Sequence, residues 1–361
     1  MPDWLPTLLS FVVALSLSLV LTPLARRLGE RAGWFFRKPS PRHIHARPTP
    51  RSGGVALALS TAGALLLLLL LPIRRPAGEA IRVGLLIIGP LLAFALILHD
   101  DIREMRPLPK LAIQIAVAAV AILPWFLGPQ LQPPPGLVIT QVQNPLGGTF
   151  YLPLAAAIPF SFLWMVGMMN TVNLLDGLDG LAAGVTAIAA LLLFIHTIRL
   201  GQHSLAPLPL ALLGACLGFL PYNFHPARIF MGDSGAFFLG YTLAILSLIG
   251  GAKIATALLV LGVPILDVAW VIIFRLARGR SPVQADRGHL HHRLLDLGLS
   301  QVQIVALFYG VCAVFGAAQF LPSGLHKLLV LLGMALGGGI FLWWLTRRQL
   351  DRAEKQDGPA S

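Results

Sequence analysis

Asn170-Thr-Val-Asn-Leu-Leu-Asp-Gly-Leu-Asp-Gly-Leu-Ala-Ala-Gly184 is the stretch on which the reading of this chain turns. An apolar run, Ile158 to Met169, precedes it, and another, Val185 to Ile198, follows it. Two carboxylates and two carboxamides therefore stand where one membrane-length segment ends and the next begins. Asn170, Asn173, Asp176 and Asp179 recur every three residues, a spacing that sets neighbours on one helix face. Gly177 and Gly180 follow the two aspartates and let a phosphate or metal approach the backbone. Two acids this close repel unless a cation or a shared proton lies between them. The plain alternative is a capped turn between two helices.

Composition sets the class. Of the 361 residues, 56% are hydrophobic and only 12% charged, with a mean hydropathy of +0.78. Soluble domains carry roughly 25% charged residues, so the chain reads as an integral membrane protein. Its net charge of +12 is orientation signal, with a second use toward anionic substrates and headgroups, and no nucleic-acid partner is implied. Cys216 and Cys312 fall inside apolar segments, which indicates neither a disulfide framework nor a zinc site. The segment from Trp4 to Ala25 lacks a basic region before it and reads as a retained helix.

At about 20 apolar residues per crossing, the expected fold is an all-α polytopic membrane protein of about 11 transmembrane helices. They fall near 4–25, 54–72, 82–98, 110–128, 152–170, 180–199, 206–222, 234–250, 254–275, 301–321 and 327–346. Residues 1–346 form a single transmembrane catalytic domain and 347–361 a cytoplasmic polar tail. With the N-terminus outside, 21 of the 27 Lys and Arg residues lie in inner loops and the tail. The outer loop 130–149 is rich in Pro, Gly and Gln and is expected to hold a short hairpin from Leu137 to Gln143.

Every cluster of acid, amide and imidazole lands on the inner side. The first inner loop, Arg37 to Gly54, carries four arginines and one lysine among stiffening prolines, and such a set, Arg51 included, can hold a phosphate as well as mark orientation. His99-Asp100-Asp101 closes the third helix and Lys110 opens the fourth. Adjacent carboxylates at a membrane border are neutralised by Lys110 and Arg103, or else face a metal or a proton-bearing substrate. Asn223-Phe-His-Pro-Ala-Arg-Ile-Phe-Met-Gly-Asp-Ser-Gly235 places Asp233 where helix eight begins. There it is an N-cap or, with free N–H groups and glycines around it, part of a phosphate and Mg²⁺ seat. Phe230 is suited to stack on a base and Asn223 to bond its edge. Asp286-Arg-Gly-His-Leu-His-His-Arg293 brings His289, His291 and His292 beside Arg287 and Arg293, a set better suited to a diphosphate than to zinc. Asp267, inside the ninth helix, is a buried ionisable group and a functional candidate, or a hydrogen-bond partner of a neighbouring helix.

Together, His-Asp-Asp, Asn-x-x-Asn-x-x-Asp-Gly-x-Asp-Gly-Leu-Ala, Asn-x-x-Pro-Ala-x-x-Phe-x-Gly-Asp-x-Gly, Pro-x-x-Asp and His-Leu-His-His-Arg occur in one order from about Pro39 to Ser300. This pattern resembles the polyprenyl-phosphate N-acetylhexosamine-1-phosphate transferases, the superfamily of WecA, TagO and MraY. His-Leu-His-His-Arg at 289–293 is similar to the WecA/TagO branch; three consecutive histidines followed by Phe-Glu mark the peptidoglycan branch and are missing here. The first loop departs from the pattern at Arg42-His43-Ile44-His45, as does Ala236 after the Gly-Asp-x-Gly motif.

The resemblance implies that a membrane polyprenyl phosphate such as undecaprenyl phosphate attacks the β-phosphorus of a UDP-N-acetylhexosamine, most simply UDP-GlcNAc, and releases UMP. It implies Mg²⁺, or Mn²⁺, on Asp233 with Asp176, and Asp100 or Asp101 as base toward the lipid phosphate. Asp176 and Asp179 would shape the metal and nucleotide site, and Asn173, Asn223 and Phe230 would face uridine. His289, His291, His292, Arg287 and Arg293 would surround the diphosphate, and Asn170, Lys110 and Arg51 complete the substrate-binding set. The expected place is the cell membrane, multi-pass, with the active site on the cytoplasmic face and a homodimer as an open possibility. The alternatives are a phospho-N-acetylmuramoyl-pentapeptide transferase and a nucleotide-sugar or anion transporter. A transporter would hold its polar residues near mid-membrane, in two related halves.

Overall fold

The structure, a computed structural model, describes residues 4–33, 49–128, 130–250, 254–279 and 288–356. Its helices in chain order are α1 (Trp4–Ala32), α2 (Gly53–Leu70), α3 (Ala77–Ile102), α4 (Pro107–Ile122) and α5 (Pro124–Leu127). They continue with α6 (Leu154–Leu175), α7 (Leu181–Arg199), α8 (Pro207–Asn223), α9 (Gly232–Leu248) and α10 (Ile254–Ala277). The last three are α11 (Leu290–Asp296), α12 (Gln301–Ala317) and α13 (Gly324–Gln356). Each expected apolar segment is helical. Among the described residues, nine spans are long and apolar enough to cross a membrane, whereas α8 and α9 are apolar but only 17 residues each.

The segment expected at 82–98 is longer than its apolar core suggests, because α3 carries His99, Asp100 and Asp101 in its last turn. The register expected from Asn170 to Asp179 stops early. α6 ends at Leu175, so Asn170 and Asn173 are helical while Asp176 and Asp179 lie in the turn before α7. Pro124 stands at the first position of α5, where its missing N–H costs no helical bond, and there the α4 helix breaks and resumes for one turn. α13 runs past the boundary expected at 346 and continues to Gln356.

The outer hairpin is displaced from its expected place. β1 (Gln141–Gln143) pairs antiparallel with β2 (Thr149–Tyr151), Val142 opposite Phe150. Leu137 is instead buried, and its N–H donates to the Ala121 carbonyl at 2.8 Å. The apolar run of the loop is thus spent on packing, and the exposed residues after it form the hairpin.

α8 and α9 form the centre of the bundle, buried along nearly their whole length. α1 and α2 pack on α8, and α3 and α6 on α9. Lipid is as apolar as a leucine side chain, so helix association rests on close packing and on hydrogen bonds between helices. Ser10 and Ser18 of α1 donate to the Pro207 and Ala215 carbonyls of α8 at 2.9 and 2.7 Å. Tyr241 of α9 donates to the Val117 carbonyl of α4 at 2.8 Å. Antiparallel neighbours then bring the α2, α4, α7 and α9 N-termini to the same end as the α3, α6 and α8 C-termini. The candidate site is at that end.

Candidate active site

The site is built on the N-terminus of α9. Residues 50–54 run beside 230–231: the Phe230 N–H donates to the Pro50 carbonyl, and the Gly53 and Gly54 N–H groups donate to the Phe230 and Met231 carbonyls, each at 2.9 Å. This places Arg51 over the first turn of α9. Gly232 opens that turn at φ +75°, and a Cβ on it would lie 2.7 Å from both Asp101 carboxylate oxygens. The last turn of α3 can therefore reach the free N–H groups of α9. The Asp101 carboxylate accepts the Asp233 N–H at 2.7 Å, the Ser234 N–H at 3.0 Å and the Ser234 hydroxyl at 2.5 Å. An anion at a helix N-terminus is favoured by the unpaired amides and by the helix dipole.

Asp233, so placed, is held by two cations. Arg51 Nη2 donates to Asp233 Oδ1 at 2.7 Å, and Arg51 Nη1 lies 3.6 Å from Asp101. Lys110 Nζ bridges Asp233 Oδ2 at 2.8 Å and Asp100 Oδ2 at 2.6 Å. The other Asp100 oxygen accepts the Met105 N–H at 2.6 Å, which fixes the turn between α3 and α4. Arg51, rather than Arg103, thus joins Lys110 in neutralising the acidic pair. Burial opposes the charge on Arg51, but Asp233, Asp101 and Asp176 outweigh it and hold the guanidinium above its usual range.

Asp176, capping the end of α6, is within electrostatic reach of the same groups. Burial above all pushes its carboxyl well up; Arg51 pulls it down, and Asp233, Asp101 and Asp179 push it further up. Four carboxyl groups, Asp100, Asp101, Asp176 and Asp233, thus share two cations. Among the described residues no three His, Cys, Asp or Glu side chains gather closely enough to enclose a metal alone. Mg²⁺ does not need such a cage, because one or two carboxylates plus substrate phosphates and waters are its usual shell. The all-oxygen donors and the surplus of acid around Asp176 and Asp233 fit that ion.

Around this centre, Asp179 accepts the Ala227 N–H at 3.0 Å and pairs with His225 Nδ1 at 2.9 Å. Asn223 is buried. Its side chain accepts the Gly180 N–H at 3.1 Å and donates to the Ile229 carbonyl at 2.9 Å. Asn170 is likewise engaged, in a reciprocal amide pair with Gln114 across α4 and α6. Asn173 and Phe230 are partly buried near the same end, Phe230 held by its backbone to the Arg51 strand.

The histidines form a short helix, α11. Asp267 accepts the Leu290 N–H at 2.8 Å and faces His289 Nδ1 at 3.1 Å, so it is the partner of a neighbouring element and sets where α11 starts. His289 and His291 stack with their centroids 6.0 Å apart, and His292 lies 4.3 Å from His291. His291 is buried against the Asp176-Gly177 turn, where a Cβ on Gly177 would come 2.3 Å from its Nε2. Burial first, then His292 and His289, hold its ring well below the usual histidine range. Arg293 is buried, and its guanidinium donates to the Gly288 carbonyl and to Thr346 of α13, each at 2.6 Å. Arg287 lies outside the described residues.

The structure therefore brings Arg51, Asp100, Asp101, Lys110, Asp176 and Asp233 into one cluster, with Asp179 and His291 attached through the 176–180 turn. Asn170, Asn223 and Arg293 serve the scaffold. Sequence reasoning missed Ser234, His225 and Gln114. Ser234 and His225 stood inside a motif already singled out, but Gln114 carried no local signal.

A model described as glycosyl transferase family 4 matches residues 83–251. The chain is 34% identical over 313 residues to a probable undecaprenyl-phosphate N-acetylglucosaminyl 1-phosphate transferase of Bacillus subtilis (strain 168), covering 85% of this chain and 82% of that one. It is 34% identical over 350 residues to a decaprenyl-phosphate N-acetylglucosaminephosphotransferase of Mycolicibacterium smegmatis, covering 88% and 83%. A phospho-N-acetylmuramoyl-pentapeptide-transferase of Moorella thermoacetica is 36% identical over 331 residues, covering 87% and 96%.

Proposed function

The chain belongs to glycosyl transferase family 4, and from that premise we propose that it is a polyprenyl-phosphate N-acetylglucosamine-1-phosphate transferase of the membrane. Its donor is UDP-GlcNAc and its acceptor a polyprenyl phosphate. An oxygen of the lipid phosphate forms a bond to the β-phosphorus of the donor, the bond from that phosphorus to the bridging oxygen breaks, and UMP leaves. The relatives named for this activity support the reaction. The single observation that carries the reading is the Arg51–Asp233–Lys110–Asp100 chain of ion pairs at one end of the bundle. A phosphate-transfer site consists mostly of positioning and of charge around the phosphoryl oxygens.

In this reading the helices cross eleven times, α8 and α9 included, with the N-terminus outside and the site on the cytoplasmic face. Asp233 and Asp176 would hold Mg²⁺, which when bound would supply positive charge to the diphosphate oxygens. Arg51 and Lys110 bind and orient phosphate oxygens by charge-assisted hydrogen bonds. Asp100 is the carboxylate that would take a proton from the lipid phosphate. That phosphate has a second pKa near 6, so at neutral pH little base catalysis is needed.

The test is direct. Purified protein with Mg²⁺, UDP-GlcNAc and undecaprenyl phosphate should release UMP, EDTA should stop it, and Asp233→Asn should abolish it. Near-normal turnover in Asp233→Asn refutes the metal assignment. The identity to pentapeptide transferases favours one second reading, and UDP-N-acetylmuramoyl-pentapeptide in the same assay separates the two. A transporter is disfavoured, because the clustered acids and cations stand at helix ends.

A further inference from the structure

The turn from Asp176 to Gly180 carries one carboxylate toward Arg51 and another toward His225, yet three of its five residues are glycine or leucine. Something outside the turn must fix it. Gly180 adopts φ +79° and begins α7 without a side-chain cap. Its N–H is held by Asn223, as described above. Its carbonyl accepts two donors: the Gly184 N–H at 2.9 Å, from the first turn of α7, and the hydroxyl of Tyr309 at 2.6 Å.

Tyr309 comes from α12, far along the chain and beyond the residues that the family model matches. Its ring reaches the turn because α7 presents glycine there. A Cβ on Gly184 would lie 1.8 Å from the Tyr309 oxygen and 2.0 Å from its Cζ. The ring therefore lies in a notch that any other residue at 184 would fill. One residue, Gly180, is thus held at both of its backbone groups, its N–H by an amide of α8 and its carbonyl by a phenol of α12.

We infer that Tyr309 is a positioning residue: it does not touch substrate, but its hydroxyl holds the Asp176–Gly180 turn, and with it Asp176, in register with Arg51 and Asp233. This rests on the functional reading above for its kinetic consequence and on the geometry alone for its structural one.

The test uses the full chain, with Tyr309→Phe and, independently, Gly184→Ala, which keeps the hydroxyl but pushes the ring out of its notch. In hydrogen–deuterium exchange, peptides spanning 176–184 should exchange roughly two- to tenfold faster in both variants, the range expected for one net hydrogen bond. Peptides from α1, α2 and the outer hairpin should be unchanged. In the UMP assay, kcat per folded molecule should fall roughly ten- to a hundredfold, as expected for displaced catalytic groups, with KM for UDP-GlcNAc nearly constant. Wild-type exchange across 176–184 in both variants overturns the inference, and so does wild-type kcat in Tyr309→Phe. If the unsubstituted protein releases no UMP, the functional reading fails and the exchange result decides the role of Tyr309 by itself.

Discussion

Asp101→Asn tests whether the α3 carboxylate is the cap that presents Asp233. The wild-type carboxylate accepts three donors from the first turn of α9 and lies 3.6 Å from Arg51. Asparagine retains one carbonyl oxygen, which can still accept the Asp233 N–H. Its NH₂ then stands where Oδ2 received the Ser234 N–H and hydroxyl. The hydroxyl can turn and accept instead, but the Ser234 N–H is left facing another donor. One hydrogen bond to a charged group contributes about 1.5–3 kcal/mol, and loss of an anion at a helix N-terminus adds about 0.3–2 kcal/mol. Removing a charge also relieves repulsion with Asp233 and Asp176, which brings the expected cost to about 2–4 kcal/mol, or roughly 30- to 1000-fold in the population of the ordered α9 terminus. Thermal unfolding in detergent, followed with UMP release per folded molecule, measures both consequences. The variant should unfold several degrees lower and turn over at a few per cent of wild type or less. An unchanged midpoint together with turnover within about twofold of wild type would sink the capping argument, because no surface substitution explanation applies to a residue this buried.

Gly177→Ala should disturb the histidine helix, since the new Cβ would meet His291 Nε2 at 2.3 Å. Overpacking of this kind costs about 1–3 kcal/mol; turnover should drop at least tenfold, and equal rates in the two proteins would refute a functional contact between the motifs. The burial of His291 gives stability a pH dependence of defined sign. Its folded pKa lies below the unfolded one, so the unfolded chain binds the proton first, and this site's contribution is complete above about pH 6.5 and declines as pH falls below it. His291→Phe should flatten the fall in melting temperature between about pH 6.5 and 5; identical profiles for variant and wild type would contradict the buried neutral ring.

Much of this site was legible because its residues stand at helix ends, where polar clusters interrupt apolar runs. His99-Asp100-Asp101, Asp176-Gly-Leu-Asp179 and Gly232-Asp233 could each be placed at a terminus from sequence alone. What each carboxylate does there could not, because that depends on partners distant in the chain. Asp101 and Asp233 look equivalent in the sequence, yet one is consumed in capping α9 and the other is presented to two cations. Asn170 and Asn223 look like ligand contacts, but inside a membrane protein an amide between helices satisfies backbone and side-chain groups that lipid cannot. The hairpin was misplaced for a related reason: an apolar stretch in a loop reads as a strand until the bundle offers it a surface to cover.

The charge balance of the cluster bears on how two phosphates can meet in it. Arg51 and Lys110 are already committed to Asp101, Asp100 and Asp233. If they turned to the donor diphosphate and the acceptor phosphate without replacement, four carboxyl groups would stand uncompensated beside two polyanions in a poorly solvated place. That is costly for each buried charge left alone. Protonating Asp176 removes one charge, in keeping with the upward push on its carboxyl. Asp101 is already occupied by the amide and hydroxyl donors of the α9 terminus. A divalent cation on Asp233 and Asp176, as proposed above, would offset part of that charge and leave Arg51 and Lys110 for phosphate oxygens.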